Sequence, residues 1–436
     1  MKILWATPWN VDSAIARVSS MVVPELMKLG VEVCVVRTED ILRVHSKPLP
    51  FAPLARLPFQ VDLQDGFDAA VIHFGDHWPF HARALDLLQA RPCVAVLHDA
   101  TMLNFFLGKA HLNGGRAAVQ KLCDEAVELY GPDPNATQPP NPDDYGWVTS
   151  AAGHWPFMHE ITSRANAVVV HSDHCLKSLT ETDRFKAHVV MLPAFATPRK
   201  RPTRPDLGDG KIALCTIGHM NENKRVASVL RAIAASPALR DRVIYSLVGP
   251  VEADQRASLE SLASDLGYQG LRILGRVSDE ELSSRLNGSD VICCLRHPAL
   301  EGGSASVLEV LQYGRPTLVT DGGFYRQIPD ELVWKVNPSD EVSDIARHLD
   351  AICTNYPTAL EKASRAPAWV SDNCSAKRYA KKMVGICQNL LPFRAIGHAR
   401  MQLEAKASAF GVRKKDPLRS RIASMSERLS VLVSRA

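Results

Sequence analysis

Short runs rich in β-branched residues alternate with helix-period stretches along nearly all of the 436 residues, and this alternation constrains the fold more than any other feature. Strand–helix–strand repetition is the pattern of parallel α/β layers, because parallel strands need a crossover, usually helical, between them. In the first half the pattern predicts strands at Lys2–Thr7, Val31–Arg37, Asp68–Phe74, Cys93–Leu97, Ala167–His171 and Val189–Leu192. Between the first two lies Ser13–Leu29, with apolar residues at Ile15, Val18, Val22 and Leu26 and then Gly30, which is helical spacing followed by a stop.

A second alternating block follows, with strands expected at Lys211–Gly218, Val243–Gly249, Leu271–Leu274, Asp290–Leu295, Pro316–Thr320 and Val333–Val336. Thr197–Gly210 separates the blocks and holds three prolines, four basic residues and two glycines. Proline restricts its own backbone and its predecessor's, so this reads as an extended linker. The expected organisation is an N-terminal Rossmann-like domain (1–196), a linker (197–210), a C-terminal Rossmann-like domain (211–375), a helix at 376–391 and a basic helical tail at 392–436. Open α/β sheets bind ligands beyond the carboxyl ends of their strands, so a cleft between two such sheets is the expected site. Gly131–Gly146, with five prolines and no periodicity, reads as a flap or surface excursion.

Composition closes off other classes. Hydrophobic residues at 46% and charged residues at 22% are ordinary globular values. No apolar run reaches the roughly 18–20 residues that cross a bilayer, and the apolar run at Met1–Ala6 is too short for a signal peptide. The ten cysteines form no CxxC pair, which argues against a zinc site or disulfide framework and for a reducing cytoplasm. The net charge is +4, but residues 392–436 alone contribute ten Lys/Arg against three Asp/Glu. Ile422, Met425, Leu429, Leu432 and Val433 follow helical spacing there, with arginines between them. Such a helix either packs on the body with a solvated face or contacts anionic lipid or another polyanion. With the excess charge confined to the tail and only 6% aromatics, nucleic acid is not an expected partner.

The passage with the most chemistry is Leu300–Gly323 (LEGGSASVLEVLQYGRPTLVTDGG). It follows a strand ending at Leu295-Arg296, and Gly302-Gly303-Ser304 opens a helix expected to run through Ala305 to about Tyr313, closed by Gly314 and Pro316. A glycine-bearing helix start offers unpaired N–H groups to an approaching anion. Glu301 precedes that turn, while Glu309 lies about 7 Å along the helix. A phosphate held there would have one carboxylate toward each side, and carboxylates accept hydrogen bonds from hydroxyls. The pattern fits a nucleotide sugar, with sugar hydroxyls at Glu301 and ribose hydroxyls at Glu309. The plainer reading is a tight turn and a surface glutamate.

Two glutamates eight positions apart, a small-residue–Gly–x–Pro turn and a strand ending in Asp-Gly-Gly resemble the donor-binding signature of the retaining family 4 glycosyltransferases. Thr216–Ala232 (TIGHMNENKRVASVLRA), Val94–Asp99 (VAVLHD) and Ala167–Ser172 (AVVVHS) extend the resemblance from Lys2 to about Leu391. It implies the GT-B fold, two facing Rossmann-like domains with parallel sheets, the last helix (about Ser375–Leu391) crossing back onto the first domain. It implies that Lys224 contacts the donor diphosphate near Gly218, and that His98, with Asp99, hydrogen-bonds the donor sugar near the reacting carbon. His171-Ser172 repeats the His98 arrangement, with structural and functional readings equally open. The sequence departs from the family at His219, where many members have arginine, and at Arg225, where many have glycine. Arg225 or Arg296 is then the substitute phosphate cation. Ser13-Ala14-Ile15 occupies the turn where the family has a glycine-rich loop, as either a substrate contact or plain packing.

The activity implied is transfer of a hexose, with retention, from a nucleotide-diphosphate sugar to a hydroxyl of a glycan or lipid-linked acceptor. No Asp-x-Asp constellation appears in a cleft position, so no cofactor is expected and metal independence is. A nucleotide-sugar epimerase or hydrolase on the same fold, or a non-catalytic glycosyltransferase-like binding protein, are the alternatives.

Overall fold

The structure is a computed structural model that describes residues 1–49, 56, 66–88, 92–132, 145–195 and 210–393, with scattered positions after 393. Residues 197–209 of the expected linker, most of the loop at 131–146 and most of the basic tail lie outside the described residues. The chain forms two compact units, Met1–Met191 with Ala376–Ala436, and Leu192–Ser375.

The first unit is built on six parallel strands, β1 (Lys2–Thr7), β2 (Glu32–Arg37), β3 (Ala69–Phe74), β4 (Cys93–Leu97), β5 (Ala167–Val170) and β6 (Ala187–Val189), in the order β2-β1-β3-β4-β5-β6. The second holds β7 (Ile212–Ile217), β8 (Val243–Val248), β9 (Leu271–Gly275), β10 (Val291–Cys294), β11 (Thr317–Thr320) and β12 (Trp334–Val336), in the order β12-β11-β10-β7-β8-β9. Every residue of β3, β4, β5, β10 and β11 is buried, the near-continuous apolar run expected of strands covered on both faces. The strand order reverses between β1 and β3 in one sheet and between β7 and β10 in the other. Crevices open beyond the carboxyl ends of the strands at such points.

Two sequence expectations shift. The sixth strand is Ala187–Val189 rather than Val189–Leu192, because its register follows the pairing of Val168–Val170 with Ala187–Val189 and not the apolar run beyond it. The helix after Gly302-Gly303 is shorter than expected, Ala305–Leu311, and Tyr313 lies in the turn that ends at left-handed Gly314. The helix Ala376–Asn389 packs on the first unit's helix Ala14–Lys28.

Candidate functional site

The second unit gathers charge at its switch point. After β7 the chain turns at Gly218, whose φ of +95° only glycine adopts without strain. A Cβ there would lie 3.0 Å from Lys224 Nζ and 3.8 Å from Ser306 Oγ, so the glycine also leaves space for the ammonium. Lys224 is 3% exposed and donates to the Ile217 carbonyl at 2.6 Å. Burial, with Arg296 nearby, lowers its pKa to about 8. Among the described residues that carbonyl is its one hydrogen-bond partner, and an ammonium carries three donors.

Arg296 arrives from the carboxyl end of β10. Its backbone N–H donates to Thr320 Oγ1 at 2.9 Å, which fixes the turn. Its guanidinium donates to Asn223 Oδ1 (2.5 Å) and Asn221 Oδ1 (3.3 Å), and pairs with Glu301 at 3.0 Å. Glu301 is therefore not a bare carboxylate: one oxygen is held by Arg296. Ser304 caps the helix Ala305–Leu311 by accepting from the Val307 N–H, so its hydroxyl is partly committed to the helix itself. Buried Tyr325 hydrogen-bonds Ser304 and feels both Glu301 and Arg296. Glu309 is half-buried and acts with Lys224, Arg296 and Glu301 on the thiol of Cys294, which burial pushes up to about 11. The structure thus brings Gly218, Lys224, Arg296, Glu301, Ser304 and Glu309 around the end of β10.

Arg225 is placed elsewhere. Its backbone is left-handed (φ 59°, ψ 28°), the conformation that explains a glycine at this position in the resembled family. Its side chain bonds both oxygens of buried Glu341 at 2.9 and 3.0 Å. Of the two substitutes expected for the missing phosphate cation, Arg296 is the one beside Lys224, while His219 is largely exposed and 3.6 Å from Glu252. Sequence reasoning missed Asn221, Asn223, Ser306 and Tyr325. Polar residues in loops carry no spacing signal, and only the fold brings them to the arginine and the serines.

In the first unit, Ser13 caps the helix Ala14–Lys28 by accepting from the Ala16 N–H at 3.2 Å, so its side chain does packing work, while Ala14 is exposed. Buried Glu39 braces the preceding turn, accepting from the Trp9 N–H (3.2 and 3.3 Å) and pairing with Arg37 at 2.7 Å. His98 differs from expectation. Its Nε2 lies 2.9 Å from His73 Nδ1 and its Nδ1 lies 3.1 Å from His171 Nε2, while His171 Nδ1 lies 2.8 Å from the Val190 carbonyl oxygen. A carbonyl only accepts, so His171 Nδ1 carries hydrogen. With neutral rings, His98 Nδ1 then donates to His171 and His73 Nδ1 donates to His98. Burial keeps all three neutral, lowering His171 to about 4 and His73 and His98 well below the usual imidazole range. Both ring nitrogens of His98 thus have partners inside the protein. Asp99 accepts from the Asp76 N–H at 2.8 Å.

The family model described as Glycosyl transferases group 1 matches residues 200–368, which include every charged group around β10. No curated protein matches the sequence. Among solved structures, the chain is similar to a glycosyltransferase from Rickettsia africae (15% identity, 89% of this chain, 98% of that one, TM-score 0.59). It is similar also to Anabaena HepE in complex with UDP and glucose (16%, 88% and 98%, TM-score 0.56) and to sucrose-phosphate synthase from Thermosynechococcus elongatus (14%, 90% and 99%, TM-score 0.57). At these identities the likeness is one of fold, the GT-B fold, and it spans both units of the chain. Among the described residues, no helix is long and apolar enough to cross a membrane.

Proposed function

We propose that the protein is a retaining glycosyltransferase that moves a hexose from a nucleotide-diphosphate sugar to a hydroxyl of a glycan or lipid-linked acceptor. The observation that carries this reading is the convergence of buried Lys224 with Arg296 at the β7/β10 switch point. An ammonium with one carbonyl partner beside a guanidinium is costly to bury, and a diphosphate repays that cost. The ammonium and guanidinium, with the N–H groups at Gly302–Ala305, neutralise charge that grows on the leaving diphosphate as the glycosidic bond breaks. Glu301, oriented by Arg296, turns its second oxygen to a sugar hydroxyl, and Glu309 takes the ribose hydroxyls.

The anomeric carbon becomes positive, and the acceptor hydroxyl attacks from the face the diphosphate leaves. The departing phosphate oxygen takes the acceptor's proton, so no protein base is needed. This differs from a retaining glycosidase, in which a carboxylate attacks the sugar. No step requires a metal, and activity is expected to persist in EDTA. The expected setting is the cytoplasm, with the basic tail at an anionic membrane face.

UDP and UDP-glucose, bound by Anabaena HepE, are the first donors to try. Radiolabelled donor distinguishes the outcomes: label in a glycan or lipid means transfer, and label in an altered free sugar means an epimerase or hydrolase. Failure of UDP and every other nucleoside diphosphate to bind, or binding undiminished in Lys224→Met, removes this assignment.

A further inference from the structure

Two asparagines in the segment after β7 have side chains that their own turn does not use. Asn221 stands just before the 3-10 turn Glu222–Lys224, where an asparagine ordinarily caps by accepting from a following N–H, yet no such bond forms. Its Oδ1 instead accepts from Arg296 Nη1 at 3.3 Å. Asn223 is 8% exposed and gives acceptors to two consecutive residues past β10. Its Oδ1 accepts from Arg296 Nη1 at 2.5 Å, and its backbone carbonyl accepts from the His297 N–H at 3.0 Å. A guanidinium only donates, so both amides turn their oxygens to it.

The need for these oxygens is electrostatic. Arg296 is, after burial, the largest cause of the lowered Lys224 pKa, which means that the two cations repel. Cys294 and Glu301 also act on Lys224, and both favour its charged form. Repulsion turns a long, flexible arginine side chain away from the lysine unless acceptors hold it. Glu301 pairs with the other terminal nitrogen, Nη2, at 3.0 Å, but a carboxylate cancels the charge it holds. An amide oxygen accepts the same kind of hydrogen bond with no net charge. It keeps the guanidinium beside the ammonium with its charge undiminished.

We propose that Asn223, with Asn221 beside it, is a positioning residue for sugar transfer: it holds Arg296 next to Lys224, so that two cations rather than one meet the diphosphate. The proposal rests on the diphosphate reading of this site. It adds the reason why an arginine from the end of β10 can serve a turn that follows β7. Asn223 acts through Arg296, which makes its effect separable from that of a residue binding the ligand itself.

The test uses the full chain with Asn223→Ala, Arg296→Gln, the double variant and Asn223→Asp, with UDP affinity read by calorimetry from pH 7 to pH 10. At pH 7, Asn223→Ala is expected to bind UDP about tenfold more weakly and Arg296→Gln at least as weakly. The double variant is expected to match Arg296→Gln within about twofold, because nothing is left to position once the guanidinium is gone. With the like charge withdrawn, the alkaline fall in UDP affinity, set by Lys224 near pH 8, is expected to move up by roughly half a pH unit in both single variants. Asn223→Asp keeps the shape and the oxygen but cancels the guanidinium charge; it is expected to melt within a few degrees of wild type and still to weaken UDP binding. Undiminished UDP binding in Asn223→Ala or in Asn223→Asp overturns the proposal. So does a double variant that loses the product of the two single factors, and so does an alkaline fall that stays in place, as a merely structural effect on the turn would leave it. Failure of wild type to bind UDP would instead sink the diphosphate reading.

Discussion

At the switch point of the first sheet, between β1 and β3, the polar groups are two carboxyls and neutral imidazoles. At the equivalent point of the second sheet, between β7 and β10, they include an ammonium and a guanidinium beside the carboxylates of Glu301 and Glu309. The strand architecture is the same in both: six parallel strands with buried central members. Topology therefore decides where a ligand sits, and the residues just past the strand ends decide its charge. The second sheet gathers a buried ammonium and a guanidinium past its strand ends, and the first gathers buried neutral imidazoles.

The largest expected effect breaks the anionic half of this contrast. Lys224→Met keeps the aliphatic stem and removes the charge; turnover, measured by nucleotide release, is expected to fall at least a hundredfold while the melting temperature stays within a few degrees. Glu309→Gln keeps the shape and removes the carboxylate, and calorimetry is expected to show about tenfold weaker UDP binding, a loss of ~1.4 kcal/mol.

pH sharpens the contrast, because the two halves respond in opposite directions. Empty-site Lys224 titrates near 8, and a bound diphosphate favours its protonated form. The neutral fraction grows as pH rises through 8, so UDP affinity is expected to drop about tenfold between pH 7 and pH 9, with proton uptake on binding that calorimetry in buffers of different ionisation heat detects. The buried imidazoles work the other way. His171 has a folded pKa of about 4 against an unfolded value near 6.5, so its contribution is intact above pH 6.5 and is lost as pH falls toward 4. At pH 5 the unfolded chain gains about 2 kcal/mol from this residue alone, and His73, His81 and His98 add in the same direction. Urea titrations at pH 7.5 and pH 5 followed by hydrogen exchange are expected to show the first unit losing protection in acid ahead of the second.

The smallest effect concerns Arg225. Arg225→Gly relieves a left-handed backbone worth roughly 1 kcal/mol but leaves buried Glu341 without its guanidinium. The melting temperature is expected to fall modestly with UDP affinity within threefold. A large loss of UDP affinity would return Arg225 to the diphosphate site.

How much was legible follows from which signals are local. The central strands could be read because strands buried on both faces are near-continuous apolar runs, and the edge strands β2, β6, β9 and β12 because they alternate with helix-period stretches. The boundary at β6 was misplaced because pairing with β5, not composition, ends that strand. Glu301 and Glu309 stood out through spacing on a turn and a helix, and Lys224 through the family resemblance. Asn223 and Tyr325 did not, since each acts on a partner from a distant strand end.

Sequence alone determined the alternating α/β order, the two parallel sheets and the charged residues beside β7 and β10, because hydrophobic periodicity and turn chemistry are written in neighbouring residues. Tertiary structure decided that Arg296 rather than Arg225 stands by Lys224 and that His98 bonds His73 and His171. The histidine contacts depend on side chains from different strands meeting at about 3 Å, and hydrogen bonds of that length are set by the packing of the sheet.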